Sequence, residues 1–494
     1  MTPALEKSAV ETDTSHVQED AVEYYIAPSE DARVRRRIDW FIMPAMVIVF
    51  FFQFLDKQTI NYASVFGLSK TLHLSGQDFS WAVSLFYFGQ LTAQFPSAYF
   101  VSRLPVTRVV GVSICAWGAA EMCIAASPNF AGLAATRFFL GLCEGAASPG
   151  FVIITSNWYK RAEHPVRVAW WQSCSGLSQI LGAVIMYLVG RASGLALENW
   201  RVMFLICGGA TIVAGVSFAL FMPKNTTTAW FLKPQDRIIA TERLALDRAT
   251  LDRSQFNAAQ VKEALMDVQT WLLFCMGLFI CIPSPILKFS SLVISGFGFD
   301  KFQTMLVGLP GGALQIITIW TAAIGMRHTH NKRWLWGILL TCVPFLGVIL
   351  LMTLPKSAGW GIVVSTWLAA CSSSLMVVSL SLAASNVKGN TKKSTVSAIF
   401  FIAYCTGCIA GPQLWQAEDA PRYMKGLISS VVSWVLLIMT YTTYYFVMTR
   451  ENARRDRLAA AVIVDEKVDA SAQLGVATDS DMTDREDLKF RYTV

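Results

Sequence analysis

Arg137 and Glu144 are two ions in an otherwise apolar stretch, Ala134-Ala-Thr-Arg-Phe-Phe-Leu-Gly-Leu-Cys-Glu-Gly-Ala-Ala-Ser-Pro149. Seven residues is about two turns of α-helix, so both side chains leave one face of one helix. The flanks are apolar enough to cross a bilayer, where a charge at the centre costs roughly 2.5–3.5 kcal/mol. A carboxylate beside a cation can do acid–base work. Burial disfavours its ionised form and the cation favours it. Moving the cation onto an incoming anion frees the acid to take a proton. The plainer alternative is that the two ions neutralise each other and brace their helix.

Few other ionisable residues fall in or beside apolar segments. Asp56 and Lys57 lie near the end of the first, Glu121 in the third, and Lys288 in Cys281-Ile-Pro-Ser-Pro-Ile-Leu-Lys-Phe289. Isolated charges in spans face a bundle interior or a water-filled cavity. Pro283 and Pro285 remove two backbone donors and are expected to break or kink their helix. Each residue has a bland reading as well. Asp56–Lys57 fits an interfacial pair, and Glu121 and Lys288 fit side chains reaching out to water. Gly141-x-x-x-Gly145 and Ser372-Ser-Ser374 read as close helix packing. Trp170, Trp171 and Trp200 read as interfacial aromatic anchors. Cys405 and Cys408 form a C-x-x-C inside an apolar run with no second Cys/His pair nearby, so packing is expected there, not metal or redox chemistry.

The elements that must position these groups are membrane helices. Hydrophobic residues make up 54% of the chain and charged residues 15%, against about 25% charge in a soluble domain. About 20 apolar residues cross a bilayer core. On that basis about twelve spans are expected, at 40–60, 80–101, 107–126, 130–153, 168–190, 202–222, 271–293, 303–325, 334–354, 361–384, 394–415 and 427–449. The chain divides into an N-terminal tail (1–32), a six-helix half (33–223), a polar central loop (224–269), a second six-helix half (270–450) and a C-terminal tail (451–494). The tails read as polar and disordered. The fold class is all-α and membrane-embedded, with two six-helix halves joined by a long loop, the layout of the major facilitator fold. Basic residues gather on alternate loops, including Lys160, Arg161, Arg167, Lys388, Lys392 and Lys393. By the positive-inside rule both termini are cytoplasmic. Nothing in the acidic first 32 residues resembles a secretory signal.

Several stretches together resemble the fungal allantoate permease family, in the anion:cation symporter branch of the major facilitators. They are Phe54-Leu-Asp-Lys57 with Asn61; Arg137-Phe-Phe-Leu-Gly-Leu-Cys-Glu144 with Pro149-Gly150; Trp158-Tyr159 with Glu163 and Arg167; Asn199-Trp-Arg201; Asn386-Val-Lys-Gly-Asn-Thr-Lys-Lys393; and Gly411-Pro412 with Ala420-Pro-Arg-Tyr423. The resemblance implies proton-driven uptake of small organic anions such as vitamins, ureides or amino-acid derivatives. It implies proton carriage by Asp56 and Glu144, to which Glu121 is added as a candidate. It implies carboxylate handling by Lys57 and Arg137, with Lys288, Tyr87 and Gln90 as further substrate-binding candidates. Lys57 replaces the family's usual Arg, Gln90 a common Tyr, and Cys408 a common Asn, which bears on substrate identity more than on fold.

The expectation is therefore a secondary transporter at the plasma membrane, coupled to protons and acting as a monomer on a small organic anion. Its partners are that anion, protons and the lipid bilayer, with no nucleic acid, cofactor or metal. There is no phosphate-binding Gly-rich loop to couple ATP. The five His residues lie outside the expected spans, which argues against an enzyme. An exporter of a fungal metabolite or drug, and a sensor that binds without transporting, are the alternatives.

Overall fold

The computed structural model describes residues 26–466 and 482–494, apart from 161–162, 193, 249–256, 297–299, 330, 356–357, 420–422 and 488. Among the described residues there is no strand. The first half comprises α1 (Pro28–Val65), a one-turn α2 (Leu68–Thr71), α3 (Asp78–Thr92) continued by α4 (Gln94–Arg103), α5 (Val106–Ile124), α6 (Phe130–Glu144) continued by α7 (Ala147–Trp158), α8 (His164–Gln172) continued by α9 (Cys174–Arg191), and α10 (Asn199–Phe221). Between the halves run α11 (Pro234–Arg248) and α12 (Ala258–Leu265). The second half comprises α13 (Val268–Cys281) with α14 (Pro285–Gly296), α15 (Lys301–Val307) with α16 (Leu309–His328), α17 (Arg333–Thr353), α18 (Trp360–Ala369) with α19 (Ser373–Asn386), α20 (Asn390–Gln413) and α21 (Met424–Glu466). Among the described residues, 10 stretches are long and apolar enough to cross a membrane. The broken pairs α3–α4 and α6–α7 make up the expected twelve passes. Large apolar side chains such as Val112, Val213, Leu220 and Trp360 face outward, as a lipid-facing surface requires.

The breaks fall where the sequence carries its chemistry. Glu144 is the last residue of α6. Pro283 and Pro285 separate α13 from α14, as expected. Ser284 N–H and Ile286 N–H bond back three residues, to the carbonyls of Cys281 and Pro283, across the interruption. The small-residue reading of Gly141 and Gly145 also holds. A Cβ on Gly141 would lie 1.8 Å from the Phe86 carbonyl oxygen, and one on Gly145 would lie 2.3 Å from Ala93 Cβ. Glycine thus lets α6 lie directly on α3. In the Ser372–Ser374 run, Gln315 Nε2 donates to Ser373 Oγ at 2.6 Å, tying α16 to α19.

Three expectations need correction. Trp200 is fully buried and Trp171 stacks on Phe50 at 4.4 Å, so neither is an interfacial anchor; only Trp170 is exposed. The first helix begins at Pro28, inside the expected N-terminal tail, because Asp31, Arg33 and Arg37 find partners in α11 and in the α7–α8 turn. Residues 1–25 lie outside the described residues. Residues 467–481 of the C-terminal tail also lie outside the described residues, but the segment after them is not free. Residues 482–494 pack back on the second half: Asp484 shares Lys392 with Glu263 and Asp267, each at 2.8 Å. Lys388 reaches Asp487 at 2.6 Å and holds its carboxyl below the ordinary aspartate value. Asn386 bonds the backbone of Thr493. Composition marked this segment as polar, but its acids have basic loop partners that only the fold brings near.

Candidate functional site

The site is built around the breaks. α1 carries Gln53, Asp56 and Lys57. Gln53 and Lys57 are four residues apart and share a face. Lys57 Nζ lies 2.6 Å from Glu144 Oε1, and Gln53 Nε2 donates to the same oxygen at 2.8 Å. Glu144 is fully buried and the Lys57 side chain is only 14% exposed. The Lys57 ammonium also sits 5.6 and 5.7 Å from the Phe54 and Phe86 ring centroids.

Asp56 points elsewhere, because successive helical residues diverge by about 100°. It is fully buried, with Trp117 Nε1 donating to Oδ2 at 2.9 Å and Thr211 Oγ1 at 3.2 Å. Asp56 and Lys57 are therefore not a pair, interfacial or otherwise. Glu121, four residues past Trp117 on α5, is equally buried, and neither of its oxygens has a hydrogen-bond partner. It does not reach out to solvent. Its electrostatic neighbours are Asp56, Arg137 and Glu144.

Arg137 does not pair with Glu144. Seven residues of helix separate them by about 10 Å along the axis, where three or four residues bring side chains together. Arg137 Nε donates to the Ala82 carbonyl at 3.2 Å, its guanidinium lies 5.3 Å from the Phe86 ring centroid, and its buried Nη1 has no partner. The bracing alternative therefore fails. Lys288, from the second half, donates to Tyr87 Oη at 2.8 Å and sits 4.2 Å from that ring's centroid. It is 9% exposed and does not reach water along its stem. Tyr87 meets Phe86 edge-on at 4.9 Å and Tyr404 at 6.0 Å. Gln90, one turn farther along α3, is buried with its side-chain oxygen unpartnered.

A buried carboxylate gripped by a lysine, with two further cations contributed by the two halves, is an arrangement that can hold an anion. The Major Facilitator Superfamily pattern matches residues 46–412. The chain belongs to that superfamily. Its relatives bear out the resemblance to the allantoate permeases. The chain is 31% identical to the allantoate permease of Saccharomyces cerevisiae, across 96% of this chain and 89% of that one. It is 36% identical to an uncharacterized transporter of Schizosaccharomyces pombe, across 95% and 91%. The inward-open structure of the xylose transporter XylE from E. coli superposes with a TM-score of 0.61 at 15% identity, across 81% of this chain and 95% of that one. This facilitator chain is a multi-pass membrane protein and a secondary transporter.

Within this facilitator fold the two halves meet at the end remote from the termini and again on the side toward them, where Ala169 packs with Ile319 and Val377 and Trp170 meets the Trp320 ring at 5.5 Å. Asn61 Nδ2 approaches Ser290 Oγ at 3.4 Å, Ser80 Oγ donates to the Trp415 carbonyl at 3.2 Å, and Ser84 Oγ donates to that of Ile409 at 2.9 Å. Gly176 and Gly312 approach so closely that a Cβ on either would strike the other's carbonyl oxygen, at 2.3 and 2.6 Å. The structure thus gathers Lys57, Arg137, Glu144, Tyr87 and Lys288 and sets Asp56 and Glu121 to one side. Sequence reasoning missed Gln53, Phe86, Trp117 and Thr211. Gln53 was findable as a lone amide in Phe50-Phe-Phe-Gln-Phe54, one turn before Lys57. The other three carry no sequence signal, since ring and hydroxyl residues abound in such spans.

Proposed function

We propose that this chain is a proton-coupled importer of a small organic anion, working by alternating access at the plasma membrane as a monomer. The observation that carries the reading is the grip of Lys57 on Glu144 at 2.6 Å, in a buried site where Arg137 has no carboxylate partner. A carboxylate entering that site competes with Glu144 for cations. Glu144, losing Lys57, becomes a buried acid without a counter-ion, and protonation relieves that cost. Substrate and proton then enter together. Arg137 offers a planar fork suited to a carboxylate, and Lys57 a point charge. A gradient of one pH unit supplies about 1.4 kcal/mol per proton, and 100 mV supplies about 2.3 kcal/mol per charge moved. The similarity to a permease named for allantoate, itself a carboxylate, supports an anionic substrate. The basic loop residues support a cytoplasmic location for both termini.

The test is uptake of radiolabelled organic acids by the purified protein in liposomes, with and without an inward proton gradient. Uphill accumulation that collapses with a protonophore is expected. Uptake indifferent to the gradient would remove the coupling, and outward-only movement would favour an exporter.

A further inference from the structure

Away from their ends, the spans hold three cations, Lys57, Arg137 and Lys288, and three carboxylates, Asp56, Glu121 and Glu144. One pair is closed, Lys57 with Glu144 at 2.6 Å. Among the described residues no carboxylate lies within 4.0 Å of Arg137 or Lys288, and no cation lies within 4.0 Å of Asp56 or Glu121. The two open cations flank one aromatic pair, Arg137 over Phe86 and Lys288 on Tyr87. They come from opposite halves of the molecule, on α6 and α14. The two open acids lie among α1, α5 and α10, where Trp117 and Thr211 hold Asp56, and Glu121 has Arg137 as an electrostatic neighbour without an ion-pair contact. An uncompensated buried ion costs several kcal/mol. A monoanion brings one negative charge to these two open cations and leaves one positive charge unbalanced.

We infer that the substrate is a dianion, such as a dicarboxylate, with one anionic group on Arg137 and the second on Lys288, accompanied by two protons. The inference rests on the importer reading above and specifies its substrate class. A dianion bridges α6 and α14, so its full binding is available only when the halves close around it. With all three carboxylates ionised before substrate enters, neutrality in the apolar interior then requires two protons on them. Glu144 is one site, and the seam that holds Asp56 and Glu121 offers the second. A monoanion needs one proton and leaves Lys288 with only a phenol.

The experiment uses the purified full chain and short straight-chain, branched and aromatic acids, each supplied as monocarboxylate, dicarboxylate and half-amide. Binding is read by thermal stabilisation, and stoichiometry by the accumulation ratio in liposomes. The dicarboxylates should bind about 10- to 100-fold tighter than their half-amides, the range of one charge-assisted hydrogen bond. Lys288→Met should shrink that advantage and Lys288→Arg should keep it. The accumulation ratio of the best dicarboxylate should rise about 100-fold per pH unit, where one proton gives about 10-fold. Half-amides or monocarboxylates binding as tightly as dicarboxylates, or a ratio of about 10-fold per pH unit, would overturn the dianion and leave an anion importer. If no acid of any series binds or is taken up, the importer reading itself falls.

Discussion

At the scale of single residues, the proposed mechanism turns on partner exchange at Glu144. Its Oε1 accepts from both Lys57 and Gln53, while Oε2 has no partner. An amide there mimics the protonated acid and cannot cycle. Glu144→Gln is expected to abolish uphill uptake while substrate binding, read by thermal stabilisation, persists. Undiminished accumulation by that variant would sink the proton role. Arg137 makes a separate case. Its Nε is anchored to the Ala82 carbonyl at 3.2 Å, which aims the rest of the guanidinium, including the open Nη1. A lysine keeps the charge but not the fork. Arg137→Lys should lower uptake by at least about tenfold, the weight of one charge-assisted hydrogen bond. Rates near those of the parent protein would show that only charge matters at this position.

At the scale of elements, two packing contacts can be tested directly. The first is the seam of α3 and α6, which sets Tyr87 and Gln90 against Arg137 and Glu144. Because a Cβ on Gly141 would stand 1.8 Å from the Phe86 carbonyl oxygen, the obstacle is backbone and cannot rotate away. Gly141→Ala is expected to destabilise by about 1–3 kcal/mol or more through overpacking. Gly209→Ala serves as the control, since a Cβ there meets nothing within 4 Å. Equal melting temperatures for the two variants would contradict the packing. The second contact is the docked C-terminal segment. Lys392 is 1% exposed and holds three carboxylates, from α12, from the turn before α13 and from the tail. Removing that cation leaves Glu263, Asp267 and Asp484 to repel one another. Lys392→Met should release residues 482–494, seen as faster hydrogen exchange there, with stability falling by about 3–5 kcal/mol as for a broken buried pair. Unchanged exchange in the segment would show that the Lys388 and Asn386 contacts suffice to hold it.

At the scale of the whole molecule, the halves are joined at the end remote from the termini, across the Gly176–Gly312 contact, and where Ala169 packs with Ile319 and Val377. Asn61 and Ser290, from α1 and α14, approach within 3.4 Å. Alternating access requires that seam to part. In a background cleared of reactive thiols, Asn61→Cys with Ser290→Cys should cross-link under mild oxidation and stop uptake, and a reductant should restore it. Cross-linked protein that still accumulates substrate would mean that the seam stays shut during transport.

The linear chain by itself determined the architecture. Hydrophobic length sets the spans, the polar stretch after 223 separates two sets of six, and Pro283 and Pro285 break α13 from α14 because proline lacks a donor whatever surrounds it. It also exposed the unusual residues, since a charge in an apolar run is costly in any fold. Which charges meet was decided only by tertiary structure. Sequence proximity suggested Asp56 with Lys57 and Arg137 with Glu144, and both pairings fail for helical reasons. Neighbouring residues point apart, and residues seven apart lie two turns distant. Lys57 instead crosses from α1 to the end of α6, and Lys288 crosses between halves to Tyr87. The burial of Glu121 and the docking of Asp484 are of the same kind. Each depends on what a distant helix or loop presents, and hydrophobic periodicity reports the buried face of a helix but not its neighbour.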